Sequence, residues 1–328
     1  MRTLVTAVVV ITLGPKALTG QAAPCASAPT AAQDACFTAV DFFQYMTPQL
    51  GISFTGGNVI LSQGGTLGGL GRFSIGARAS AIRGNLLTLQ TPSATGPAFR
   101  TASNPYPTED QYIGLAVADA AIGLFRGFNA GFTSVGGVDA LVSASYIPTL
   151  RTSGLGGDIS IEPESPVKFG YGATLGIIEE TVFIPGISVS FVLRDLPTTA
   201  MLAVIGSDSL QVTDYALKTT SWRLTAGKSF VGLTVAGGVG QDTYSASTTI
   251  ESIVNRSVIG RVTTGGFSVE QETTRLNYFA NVSLNFFVAK LVAEAGVISG
   301  GDVTTSNVFD IPADASRSYA SLGIRISY

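Results

Sequence analysis

The sequence predicts an all-β protein: an antiparallel transmembrane β-barrel of about 12 strands (range 10–14) behind a short N-terminal segment. Three observations lead there. Successive segments alternate apolar and polar side chains, the period of a strand with one dry and one wet face. Charged residues are only 12% of the 328 and glycine contributes 39, so the polar faces are built mainly from Ser, Thr, Asn and Gly. Mean hydropathy is positive at +0.38, yet beyond the N-terminus there is no run of about 18 apolar residues able to span as a helix. A chain this apolar without helical spans hides its surface by closing a sheet in lipid, where closure satisfies every backbone group. A soluble sandwich also alternates, but its outward face should carry Lys and Glu, which are scarce here.

Residues 1–22 read as a cleaved secretory signal. Arg2 supplies the charge, Leu4 to Leu13 the apolar stretch, Gly14-Pro15 the break and Gly20-Gln21-Ala22 the small-x-small cleavage site. Removing Arg2 and Lys16 takes the formal charge from −3 to −5. That balance speaks against a nucleic-acid partner. Two cysteines follow the cleavage site, Cys25 and Cys36. In an exported chain they suggest one local disulfide, with two free thiols as the alternative.

Residues 23–68 form a leader with a short helix and a plug-like segment. Asp34 is placed to cap a helix running through Met46, with Pro48 ending it. Leu50 to Leu61 suggests a strand pair or plug-like turn around Gly56-Gly57-Asn58. The glycine-rich run 64–71 lacks the Lys-Ser/Thr of a phosphate loop and reads as a flexible approach to the first strand.

The barrel is assigned to 69–328. Alternation starts at Arg72, with Phe73, Ile75, Ala77, Ala79 and Ala81 on one face. A Pro/Ser/Thr/Asn loop spans 85–110. In Gln111 to Phe125, Ile113, Leu115 and Val117 share the apolar phase, and a bulge near Val117–Asp119 is needed to return Asp119 to the interior. Val138 to Tyr146 alternates next, followed by a long loop at 149–166. Val167 to Ile177 and Ile187 to Leu193 alternate across a short connection. Residues 195–217 are a long connection with strand from Leu210. Trp222 to Ala226 and Leu233 to Val239 follow, then a Thr/Ser-rich extended hairpin at 244–273. Leu276 to Phe286 is the clearest alternation in the chain. Leu291 to Val297, a loop at 301–316 and the stretch Arg317 to Tyr328 complete it. Ten strands are read directly; Leu50–Leu61, Leu210–Ala216 and 244–273 bring the count to as many as 14 if they contribute, with about 12 as the central expectation. Long connections alternate with short ones, as in a barrel whose two ends face different compartments.

The last strand carries a resemblance. Leu322, Ile324 and Ile326 occupy alternate positions before an aromatic carboxyl terminus, Tyr328. This resembles the C-terminal assembly signal of bacterial outer-membrane β-barrel proteins, porin-like or fatty-acid-transporter-like. The resemblance implies an outer-membrane location in a Gram-negative-type envelope. It also implies two partners, outer-membrane lipid and the barrel-assembly machinery.

The chain contains no histidine. It departs at that residue from the outer-membrane hydrolases that use a His general base, and it lacks a His metal site. The expectation is therefore a non-enzyme with no cofactor and no metal. If the apolar phase meets lipid, the lumen receives Arg72, Arg78, Lys168, Arg194, Arg223, Arg275 and Arg325, with Asp139, Glu294 and, through the bulge, Asp119. Two readings of this excess of cations are open. It biases a pore toward anions, or the arginines pair with the acids, with loops or with a plug. Two functions follow: a narrow or gated passive channel or transporter for small solutes, or a structural or surface-interaction protein with an occluded barrel.

Overall fold

A computed structural model describes residues 23–328 apart from 59, 61–63, 89, 155 and 156. The signal segment 1–22 lies outside the described residues. Two helices come first, α1 (Ala23–Ser27) and α2 (Thr30–Thr55). The strands are β1 (Phe73–Leu87), β2 (Thr108–Phe125), the short pair β3 (Phe128–Asn129) and β4 (Ser134–Val135), β5 (Gly137–Tyr146), β6 (Leu150–Gly154), β7 (Gly157–Pro163) and β8 (Val167–Ile178). They continue as β9 (Gly186–Asp195), β10 (Thr199–Ile205), β11 (Asp208–Phe230), β12 (Leu233–Arg256), β13 (Gly260–Thr263), β14 (Phe267–Phe286), β15 (Ala289–Ser299) and β16 (Arg317–Ser327).

Ten of these strands close a ring. The order β1-β2-β5-β8-β9-β11-β12-β14-β15-β16 returns to β1, and every pairing is antiparallel. At the closure Ile75 lies opposite Ile326 and Ala81 opposite Ala320. Tyr328 N donates to Phe73 O (2.9 Å) and Phe73 N to Tyr328 O (3.2 Å). The two rings stack 5.8 Å apart.

The expected 12 strands are thus corrected to ten in the ring. The segments counted as extra strands lengthen existing ones instead. Leu210–Ala216 lies within β11 (23 residues), and 244–273 supplies the far halves of β12 (24 residues) and β14 (20 residues). About 9–11 residues suffice to cross a bilayer, so these three strands run well past the band. β10, β7 and β6 add to the far half of β11, and β13 adds to β12. Two-residue turns at 231–232 and 287–288 mark one end of the ring. Connections of 88–107 and 300–316 mark the other.

Side-chain phase divides the ring along its axis. Toward the short turns the outward positions are apolar: Val282 is 43% exposed, Ile324 59% and Phe169 69%. Toward the long loops the apolar residues turn inward. On β12, Val235 and Val239 face out while Tyr244, Ala246, Ile250 and Val254 are buried inside. β2 does the same, with Ile122 and Leu124 outward and Val117 inward. No bulge exists at Val117–Asp119: β1 and β2 pair without interruption from Phe73↔Ile122 to Leu87↔Thr108, and the irregularity in β2 lies at Gly123/Phe125. Asp119 is inward in the same phase as Ile113, Leu115 and Val117. Those three face in because the interior there is protein.

That protein is α2. Nineteen of its 26 residues are buried, including Val40, Phe43, Ile52 and Phe54, and it carries no Lys or Arg. A helix apolar nearly all round has to be enclosed. It packs chiefly on β12, β1 and β11. Gly51 permits the closest approach, since a Cβ there would sit 2.5 Å from the Tyr244 ring. The helix is longer than the sequence suggests and passes through Pro48. An amide at position 48 would have bonded the Gln44 carbonyl, and Gln271 Nε2 from β14 donates to that oxygen instead (3.1 Å). Asp34 does not cap it: the N-cap is Pro29, and Asp34 accepts Ser93 N and Ala98 N (2.7 Å each) from the long 88–107 connection. Cys25 and Cys36 form a disulfide joining α1 to α2. The expected strand pair at Leu50–Leu61 is absent among the described residues, because helix continues through Thr55 and Gly57 turns the chain at φ +76°. Beyond Gly57, Ile60 and Leu67 pack in the short-turn half with Ala121, Leu141, Val192 and Val292.

Candidate functional site

The C-terminus of α2 ends in mid-ring with carbonyls that have no intrahelical partner and a negative dipole end. Two arginines meet it. Arg78 on β1 donates Nη1 to Gly56 O (2.7 Å) and Nη2 to Phe54 O (3.4 Å). Arg223 on β11 donates Nη2 to Thr55 O and stacks over Phe279, its Cζ 4.9 Å from the ring centre. Each is also tied to an acid. Arg78 Nε meets Asp119 Oδ2 at 3.0 Å and Arg223 Nη1 meets Glu294 Oε1 at 3.0 Å. Arg194 reaches Asp119 Oδ1 at 3.5 Å and donates Nε to Ser143 Oγ (3.2 Å).

Neighbouring polar groups complete the layer. Tyr319 OH lies 2.9 Å from Glu294 Oε1 and 3.2 Å from Asn277 Oδ1. Asp242 Oδ2 accepts Asn277 Nδ2 (3.0 Å) and Thr55 Oγ1 (3.1 Å), and Thr55 Oγ1 also contacts Tyr244 OH at 3.2 Å. Arg78, Arg194 and Arg223 thus share the layer with Asp119, Asp242 and Glu294, all no more than 5% exposed. Three cations against three carboxylates leave no surplus charge there. Buried ions need such partners, because desolvating an isolated one costs several kcal/mol.

The other sequence candidates fall into two groups. Arg275 donates Nη2 to Asp314 O (2.8 Å) and Ala315 O (2.7 Å), holding the 300–316 connection. Arg325 donates to Ile60 O (3.4 Å), and Asp139 Oδ2 accepts Leu67 N (2.9 Å), so both hold the segment after α2. Arg72 and Lys168 belong to the inward phase but are exposed rather than luminal, because they sit at opposite rims where the ring ends. Arg72 lies over the Tyr328 ring at 5.9 Å. Sequence reasoning missed Asp242, which continues the inward phase of β12 three residues beyond Val239.

α2 does not fill the long-loop half evenly. Beside it, apolar space remains among Leu50, Phe54, Ile113, Leu115, Met201 and Tyr215. A smaller cavity of about 190 Å³ adjoins it and shares Leu50, Ile161, Met201 and Tyr215. Among the described residues no group of three or more His, Cys, Asp or Glu is placed to hold a metal.

A closed antiparallel ring, lipid-compatible outside and polar at mid-height inside, defines the class: a transmembrane β-barrel with an internal plug. No family model matches the chain, and comparison with curated proteins finds no significant match. Among solved structures, the chain is similar to the translocator domain of autotransporter NalP from Neisseria meningitidis: 13% identity, 79% of this chain, 89% of that chain, TM-score 0.42. It is also similar to the Pseudomonas putida toluene transporter TodX, at 10% identity over 83% of this chain and 93% of that one, TM-score 0.35. A third is Ail, the attachment invasion locus protein of Yersinia pestis, at 12% identity over 79% and 99%, TM-score 0.30. At such identities and scores, the functional assignment rests on this chain's own residues.

Proposed function

We propose that the protein is an exported outer-membrane β-barrel serving as a gated passage for small solutes, with its own N-terminal helix as the gate. The observation that carries this is the anchoring of α2. Its last carbonyls are held by Arg78 and Arg223, and each arginine is balanced by a wall carboxylate. The arginines that would tune an open pore toward anions are here occupied in holding the plug. The lumen is therefore closed at rest, and passage requires α2 to shift.

Planar-bilayer recording tests this. The intact protein should pass almost no steady current, whereas Arg78→Ala with Arg223→Ala should show frequent openings while retaining heat-modifiable migration on a gel. Large steady currents from the intact protein would refute the closed resting state. Silence from a folded double variant would remove α2 as the gate.

A second reading, a surface-interaction protein, has one observation in its favour. β6, β7, β10 and β13 widen the sheet only beyond the lipid-facing band, where they take no part in closing the ring. Under that reading the arginine double variant stays silent, and removing 147–166 abolishes binding to intact cells or matrix.

A further inference from the structure

The ring is complete only in its short-turn half. β2 pairs with β1 from Thr108 to Ile122, but its pairing with β5 stops at Ala116↔Tyr146. From Glu109 to Leu115, no backbone hydrogen bond joins the β5 side of β2 to another strand among the described residues. The chain leaving Tyr146 turns away instead: β6 pairs with β7, β7 with β10 and β10 with β11. Among the described residues, a window is left in the wall between β2 and the Tyr146–Pro148 corner. It begins roughly ten residues up β2 from the short turns, the height at which a spanning strand leaves the hydrocarbon.

One cavity of about 1230 Å³ passes through this window. Its outer part is a groove on the lipid-facing wall, floored by small residues in register: Gly114, Ala81, Ala320, Ala295 and Ala280 on five adjacent strands. Its inner part is the apolar chamber beside α2. Two residues lining the cavity, Asn281 and Tyr215, carry buried polar atoms without a hydrogen-bond partner among the described residues, and of the two only Tyr215 also lines the adjoining cavity. Tyr215, 2% exposed, lines both the chamber and the adjoining cavity, and its hydroxyl makes no hydrogen bond among the described residues. Thr47 stands beside it and donates its own hydroxyl to Phe43 O (2.8 Å), leaving Tyr215 no acceptor of good geometry there. A buried hydroxyl without a partner costs about 1–3 kcal/mol, which a ligand atom can offset.

We infer that the chamber is a binding site for a single-chain amphiphile with a neutral, hydrogen-bonding head, admitted from the outer leaflet through the window beside β2. The chain fits the apolar groove and lining. The head is neutral because, among the described residues, no Lys or Arg lines either cavity, so a carboxylate would be desolvated without a counter-ion. The one carboxylate that lines them, Glu294, is already paired with Arg223. Tyr215 then holds a hydroxyl or ester oxygen. This site deepens the gated-passage reading by naming a solute class, and it rests on the same outer-membrane placement.

The test uses the full mature protein in liposomes with three photoreactive sixteen-carbon probes: an alcohol, a carboxylic acid and an alkane. Peptide mapping should place the alcohol's label on Ile113, Leu115 and Met201, several-fold above the acid at neutral pH. Tyr215→Phe should lower alcohol labelling about three- to ten-fold, the worth of one neutral hydrogen bond, and leave the alkane unchanged. Met201→Trp, filling the chamber, should abolish interior labelling by all three. Gly114→Trp, at the window, should do so only for probe presented from the bilayer. Label confined to outward positions such as Val282 and Ile324, or interior labelling unaffected by Met201→Trp, overturns the site. Acid labelling equal to alcohol overturns the neutral head. Bilayer current plays no part in these readouts, so failure of the gate leaves this result separately readable.

Discussion

At the scale of single residues, Arg223 joins wall to plug. Its guanidinium serves Thr55 O and Glu294 together, and neither of those groups is exposed. Arg223→Met should therefore cost about 3–5 kcal/mol, as when one partner of a buried pair is removed. Adding Glu294→Gln should recover a large part of that loss. Urea unfolding midpoints in micelles measure both, and a single variant as stable as the parent would show that the pair holds nothing. Asp41 is a second informative position. It accepts Ser306 N (2.7 Å), Asn307 N (2.8 Å) and Asn307 Nδ2 (2.6 Å), tying α2 to the 300–316 connection. Burial nevertheless pushes its carboxyl up from 3.8 to about 6, with the amide donors pulling the other way. A folded pKa above the unfolded one means that the folded state binds the extra proton. Its contribution is fully present below about pH 4 and is lost as pH rises through 6, on the order of 2–3 kcal/mol. Stability followed from pH 7 to pH 4 should rise over that window, and Asp41→Asn should flatten the rise. An identical profile in the variant would assign the effect to another group.

At the scale of elements, α2 shows how enclosure overrides local signals. Pro48 ordinarily disrupts a helix interior by about 3 kcal/mol, yet the helix continues because Gln271 reaches the Gln44 carbonyl. Gly51 is the converse case. Helix propensity alone favours Ala there by about 1 kcal/mol, but the Tyr244 ring occupies the space of a Cβ. Gly51→Ala is expected to destabilise by about 1–3 kcal/mol, the usual range for overpacking, and Tyr244→Val should relieve it. A stabilised Gly51→Ala protein would mean that α2 stands further from β12. Asp34 and Asp41 lie seven positions apart on one helical face, and each accepts amides from a different long connection. The plug and the loops above it are thus one hydrogen-bonded unit.

At the scale of the whole molecule, closure depends on the last strand. Ile324 and Ile326 pair with Ala77 and Ile75 on β1 and with Leu291 and Ala289 on β15. Deleting Ile324 to Tyr328 opens two strand edges in the lipid-facing half, where water cannot satisfy them. The truncated chain should stay unassembled and protease-sensitive, with no heat-modifiable band; normal yield of folded protein would count against a barrel. Within the full chain, Ile324→Arg should cost roughly 2–4 kcal/mol near the midplane of the band. The same substitution at Thr249, outward on β12 beyond the band, should be nearly neutral. Equal effects at the two positions would erase the boundary drawn from the inversion of side-chain phase.

The alternation of apolar and polar residues by itself determined the strands and their lipid-facing side in the short-turn half. There, period two is imposed by contact with lipid on one face, and Leu276 to Phe286 or Ile324 to Tyr328 carry that imprint openly. The same reading failed wherever a third partner intervened. Ile113, Leu115 and Val117 share the apolar character of lipid-facing residues, and nothing local tells that their partner is a helix within the ring. Leu210–Ala216 and 244–273 alternate like extra spanning strands although they prolong existing ones, because a strand's period does not record which solvent it meets. The arginines of the inward phase were legible as inward. Their task was not, because it depends on where the C-terminus of α2 comes to rest. Only the tertiary structure brought Thr55 and Gly56 within reach of Arg223 and Arg78, left β2 without a neighbour above Ala116, and set Tyr215 beside an apolar space. Each is a relation between segments far apart in the chain, decided when the ring closes around its own N-terminal helix.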